Sequence, residues 1–181
     1  MRFAASVLTL SLVATSSVAL TFVKRDAPTI LTDITYIAGN ISKLNADINT
    51  FAVSSTLVHG LALHTDSVKL DTAVKGATTD VLATPTLTED EGNAILTAVQ
   101  DLEDGIIGAL TNITAVKANV QALPVGNLAA LVLSDLKTLS ADTQTFENDL
   151  IAISPADLLD TANQIADTVN AAFAAAIAAY S

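Results

Sequence analysis

Cysteine and tryptophan are absent from the 181 residues, methionine occurs once, and aromatic side chains make up only 4%. The missing thiols exclude structural disulfides, cysteine-ligated zinc and cysteine nucleophiles together. Positive charge is scarce too: eight Lys plus Arg stand against 19 Asp plus Glu, a formal charge of −11 at pH 7. Such a balance gives little grip on nucleic acid or on an anionic membrane surface, so neither is an expected partner. The two histidines, His59 and His64, lie five apart, whereas a helical metal pair needs a four-residue step and further ligands. No metal or cofactor is therefore expected. There is no glycine-rich phosphate loop after a strand, no G-x-S-x-G elbow, and no serine with evident histidine and acid partners. An enzyme would lack candidate residues.

Hydrophobic side chains, by contrast, make up 51% of the chain. The first of them belong to a leader. Met1-Arg2-Phe3 is a short positive start, and the small and apolar run from Ala4 ends in Ser17-Val18-Ala19, the pattern of a secretory signal peptide over residues 1–19. Residues 20–25 read as a propeptide ending at the dibasic pair Lys24-Arg25, leaving 26–181 as a single domain. This mature part has 156 residues and, without Arg2, Lys24 and Arg25, a charge of −14. A chain of that length can bury roughly 70% of its extended surface, so packing alone can hold it. Two sequons, Asn40-Ile41-Ser42 and Asn112-Ile113-Thr114, are candidate glycosylation sites suited to a eukaryotic secretory route. No transmembrane anchor is expected: the longest uncharged stretch, between Asp47 and Asp66, carries Asn49, Ser54, Ser55, His59, Gly60 and His64.

Within the mature part the apolar positions step by three and four. Ile30, Ile34, Ile37, Ile41, Leu44, Ile48 and Phe51 form one stripe, which only a helix puts on a single face. A second runs from Ile95 through Val99, Leu102, Ile106, Ala109 and Ile113 to Leu123, opened by Thr88-Glu89-Asp90-Glu91, a capping box with acids at the positive end of the helix dipole. Leu123-Pro124-Val125-Gly126 breaks that pattern. A third stripe spans Leu128 to Ile153. Ser154-Pro155 is expected to cap a fourth, which includes Leu158, Ala162, Ile165, Val169, Ala172 and Ala176. Between Ser54 and Ala83 the apolar residues divide over two faces around Gly60 and Gly76, which predicts one helix or two and makes Leu57–Val81 a candidate gate. The expected fold is all-α: an antiparallel bundle of about five amphipathic helices joined by short loops.

The signal peptide, the dibasic pair and the cysteine-free helical layout, with Ile30-Leu31-Thr32-Asp33-Ile34 and Asp101-Leu102-Glu103-Asp104 set among Ala- and Thr-rich helices, resemble the fungal hydrophobic surface binding protein A family, or antigenic cell wall galactomannoproteins. The resemblance implies a secreted or wall-associated protein that binds hydrophobic surfaces, with a bundle that in some relatives encloses fatty acid. An apolar void between helices accepts an apolar guest, and bundles commonly place ligand sites there. The positions expected to line such an interior are Ile37, Ile41, Leu44, Phe51, Leu61, Leu102, Ile106, Phe146, Leu150, Ile165 and Phe173. The expected partner is a long-chain lipid or a hydrophobic surface, with no cofactor. The competing reading is a structural wall glycoprotein, a solid scaffold for glycans in contact with cell wall polysaccharide.

Overall fold

The computed structural model describes residues 26–123 and 127–181, so the leader and most of the predicted Leu123–Gly126 break fall outside the described residues. Five long helices carry the fold: α1 (Ala27–Val53), α2 (Leu57–Leu82), α3 (Glu89–Ala115), α5 (Leu128–Ile153) and α6 (Leu159–Tyr180). A six-residue helix, α4 (Lys117–Ala122), follows α3, and a 3₁₀ turn, Ala156–Leu158, precedes α6. Among the described residues there is no strand.

The buried positions of α1 are Ala27, Ile30, Ile34, Ile37, Ile41, Leu44, Ile48 and Phe51. Their steps alternate between three and four, a period of 3.5 that keeps one seam facing its partners over the whole helix. Asp26 starts α1 by accepting from the Thr29 amide at 3.2 Å. Thr88 and Glu91 close the capping box at α3, with the Thr88 amide donating to Glu91 Oε2 at 2.9 Å. Phe51, Ile30, Ile48, Val81 and Val169 are fully enclosed. Each contributes roughly 1.5–3 kcal/mol relative to exposure.

One local alternative is decided and two expectations are revised. The segment after Ser54 is one helix, begun where Thr56 accepts from the His59 amide. Gly60 lies in its first turn as a contact point, because a Cβ there would meet Leu128 Cδ2 at 2.6 Å. The second stripe does not run unbroken to Leu123. At Val116 the amide turns back to Asn112 and Thr114, and the Tyr180 hydroxyl donates to the Ile113 carbonyl at 2.7 Å. The tyrosine thus satisfies one of the carbonyls left over where α3 ends. Ser154 does not cap the last helix either: its hydroxyl donates to the Leu150 carbonyl and its amide to Ile151, so it ends α5.

The helices close into a ring in which α1 packs on α2 and α3, α5 on α2 and α6, and α6 on α3. Consecutive long helices reverse direction, as the short connections require. Three of the seams are nevertheless parallel. His64 meets Asp135 and Lys75 meets Asp142 along α2/α5, and Asn112 meets Asn45 along α1/α3. Tyr180 meets Ile113 along α3/α6. Parallel neighbours arise because the connection after α2 crosses the end of the bundle, where the Leu87 amide donates to the Ile153 carbonyl at 2.9 Å. That contact fills an orphan carbonyl of α5. Gly92 completes this end, since a Cβ on it would lie 2.7 Å from Pro155 Cδ.

Candidate functional site

The inward stripes do not fill the axis of the ring. Three apolar cavities lie along it, of about 60, 30 and 40 Å³. The first sits between Leu44, Leu63, Ala109 and Leu136 and reaches Ser67 and Asp135 at its rim. The middle one is bounded by Ile37, Ile41, Val74, Leu102 and Thr143. The third lies between α3, α5 and α6, among Ile95, Val99, Leu150, Ala162 and Ile165, with Glu147 in its wall. Leu70, Ile106, Leu139 and Phe173 border both of the first two cavities, and Phe146 borders both the middle and the third. The first partition is thus a layer of four side chains and the second is Phe146 alone. Asp135 and Glu147, at the two polar walls, are twelve residues apart on α5, about 18 Å at helical rise.

Of the interior positions expected from sequence, Leu44, Ile106 and Phe173 line the first cavity. Ile37, Ile41 and Leu102 line the middle one, and Phe146, Leu150 and Ile165 the third. Two do not join them. Phe51 is fully buried but borders none of the three. Leu61 is 46% exposed, because the inward face of α2 is set by Gly60, Leu63, Asp66 and Leu70. Two residues of helix turn Leu61 about 200° away from Leu63. The outer face of α2 also exposes Leu57, Val58 and Val68. Asn40 Nδ2 donates to the Tyr36 carbonyl, and Asn112 Nδ2 donates to Asn45 Oδ1 in the α1/α3 seam, each at 2.8 Å.

Three charged pairs link neighbouring helices: Lys43 with Asp66, His64 with Asp135, and Lys75 with Asp142. The Asp66 side chain, 5% exposed, receives Lys69 at 2.8 Å and Lys43 at 2.9 Å. Burial raises its pKa, but the two lysines outweigh that and hold it at about 2. Lys75 bridges Asp71 and Asp142 across α2/α5 at 2.7 and 3.3 Å. His64 Nδ1 lies 3.0 and 2.9 Å from the two Asp135 oxygens, while burial pushes the Asp135 carboxyl above its usual range. Glu147 stands apart. Burial pushes it up to about 7; a 2.9 Å hydrogen bond from Asn170 Nδ2 to its Oε2 opposes this, and the charge of Asp167 adds to it. Nothing in the sequence pattern marked Glu147, since an acid beside a stripe residue reads as a solvated flank. Among the described residues no group of three or more His, Asp or Glu could hold a metal ion, and no helix is long and apolar enough to cross a membrane.

A ring of five long helices around a file of small apolar cavities defines the class: an all-α bundle with an apolar axial interior. The chain belongs to the hydrophobic surface binding protein A family, whose sequence profile matches residues 27–152. Among solved structures, a crystal structure of AfMP4p in complex with palmitic acid is 31% identical, with a TM-score of 0.81, covering 86% of this chain and 100% of that one. Ligand binding domain 2 of the Penicillium marneffei MP1 protein, complexed with multiple arachidonic acids, is 24% identical over 88% of this chain and 98% of that one, with a TM-score of 0.78. Domain 1 of the same protein, complexed with arachidonic acids, shares the fold at 19% identity and a TM-score of 0.75, over 85% of this chain and 95% of that one. A comparison with curated proteins returned no match.

Proposed function

We propose that this chain is a secreted, non-enzymatic lipid-binding protein that holds a long-chain fatty acid along the axis of its bundle, in contact with the nine cavity-lining positions named above. The observation that carries this reading is the file of apolar cavities, separated only by side chains that border two cavities at once. The largest, about 60 Å³, falls well below the roughly 150 Å³ in which benzene is accommodated. An acyl chain therefore enters by turning aside Phe146, Ile106 and Phe173 and joining the three spaces. The span of about 18 Å between Asp135 and Glu147 along α5 is comparable with an extended palmitoyl chain. The palmitic acid complex of the 31% identical relative supports the same assignment.

Native mass spectrometry tests it. Protein purified from a secreting host, or incubated with palmitic and arachidonic acids, is expected to carry one or more acids per chain. Absence of bound lipid under both conditions overturns the reading. Exposed Leu57, Val58, Leu61 and Val68 favour a second activity, adsorption of the outer α2 face to hydrophobic surfaces, expected as retention on alkyl-coated beads. The scaffold reading, with glycans on Asn40 and Asn112 and wall polysaccharide as partner, gains no support from Asn112, whose amide nitrogen is engaged by Asn45.

A further inference from the structure

If the interior binds fatty acid, its carboxyl end needs a polar partner, and the usual one, a cation, is not at hand. The described residues contain five lysines and no arginine. Lys43 and Lys69 are held on Asp66, Lys75 on Asp71 and Asp142, and Lys117 on the Ala179 carbonyl. Lys137 is exposed. None lines any of the three cavities. Bare carboxylate in such a place would be expensive, because an ion leaving water for an apolar site requires pairing or neutralisation.

Two acidic side chains reach the cavity walls. Asp135, at the first cavity, has both oxygens within 3.0 Å of His64 Nδ1 and is already engaged. Glu147, at the third cavity, accepts from Asn170 Nδ2 through Oε2 alone, which leaves Oε1 for a ligand. It follows Phe146, the side chain shared with the middle cavity, so a headgroup beside Glu147 places its tail on the axis.

Resting on the lipid-binding reading, we propose that Glu147, held in place by the Asn170 amide, forms the headgroup site. There the fatty-acid carboxyl and the Glu147 carboxyl share one proton in an O–H···O⁻ hydrogen bond, and loss of that proton releases the ligand. Two carboxyl groups at one site hold a proton well above their separate values, because both cannot ionise side by side. The surroundings add to this. From α6 the facing groups are Asn170 and the Asp167 carboxylate; from α3 the wall is Gly92, Ile95, Leu96 and Val99, none of them titratable. Burial already pushes the Glu147 carboxyl up to about 7. Fatty acid is thus captured in acidic medium and released in alkaline medium.

Titration calorimetry with dodecanoic acid below its micellar concentration, and with 1-dodecanol as a headgroup that does not ionise, tests the proposal at pH 5.5 and 8.5. In the intact chain the acid should lose at least tenfold in affinity at the higher pH and the alcohol less than threefold. Glu147→Gln, nearly isosteric and uncharged at both pH values, should reduce the acid's change to less than threefold while still binding the alcohol, which also shows the variant to be folded. An unchanged acid affinity across pH in the wild type, or a tenfold loss that persists in Glu147→Gln, overturns the headgroup assignment and leaves lipid binding standing. Failure of the wild type to bind either compound at either pH overturns the lipid-binding reading itself.

Discussion

Filling the first cavity should stabilise the protein and exclude its ligand in the same step. Ala109, on α3 and 8% exposed, borders that space of about 60 Å³. Leu is nearly as good a helix former, so Ala109→Leu adds volume with little change in backbone preference. Cavity volume costs about 24 cal/mol per Å³, and closing it returns about 1.4 kcal/mol. A second route agrees: three buried carbons contribute about 2.4 kcal/mol, less about 0.5–1 kcal/mol of side-chain entropy. For a domain of this size that raises Tm by about 3–6 °C, measurable by calorimetry. Palmitic acid must then displace the new side chain, and 1.4 kcal/mol converts to a loss of about tenfold in affinity. A fall in Tm would show that the space cannot take the branch, because overpacking costs about 1–3 kcal/mol. A rise in Tm with palmitate affinity intact would refute the location of the ligand.

Two helical glycines, Gly76 within α2 and Gly92 in the first turn of α3, should respond in opposite directions. A Cβ on Gly76 would have open space for 4 Å around it, so Gly76→Ala should gain about 0.5–1 kcal/mol; Gly92→Ala should lose about 1–3 kcal/mol in urea unfolding, because its Cβ meets the rigid Pro155 ring at 2.7 Å. Asp66, held at about 2, contributes stability above pH about 4 and loses it as the pH falls through 2. With both lysines 58% exposed, the contribution is about 1 kcal/mol. The gap between wild type and Asp66→Asn in urea midpoints should therefore close between pH 6 and pH 2; a constant gap would contradict the clamp.

Much of the interior was legible because a stripe at helical spacing must face other stripes. Ile37, Ile41, Leu102, Phe146 and Phe173 could be named on that ground. Leu61 could not be placed correctly, because α2 carries apolar residues on two faces. Which one turns inward depends on the seat of Gly60 under Leu128, a contact 68 residues away in the chain. Glu147 was illegible for a related reason. Its chemistry comes from Asn170 and from the apolar wall opposite, neither of which its own neighbours in sequence reveal.

Periodicity, caps and composition by themselves determined an all-helical chain with apolar seams, no thiol chemistry and a strongly acidic surface, since these depend on residues within a few turns of one another. Tertiary structure alone decided the order of helices around the ring, the parallel seams, the residual space along the axis and the half-buried carboxyl beside it. Each of those depends on how well side chains from distant segments fill a shared volume, and packing of that kind has no period along the chain.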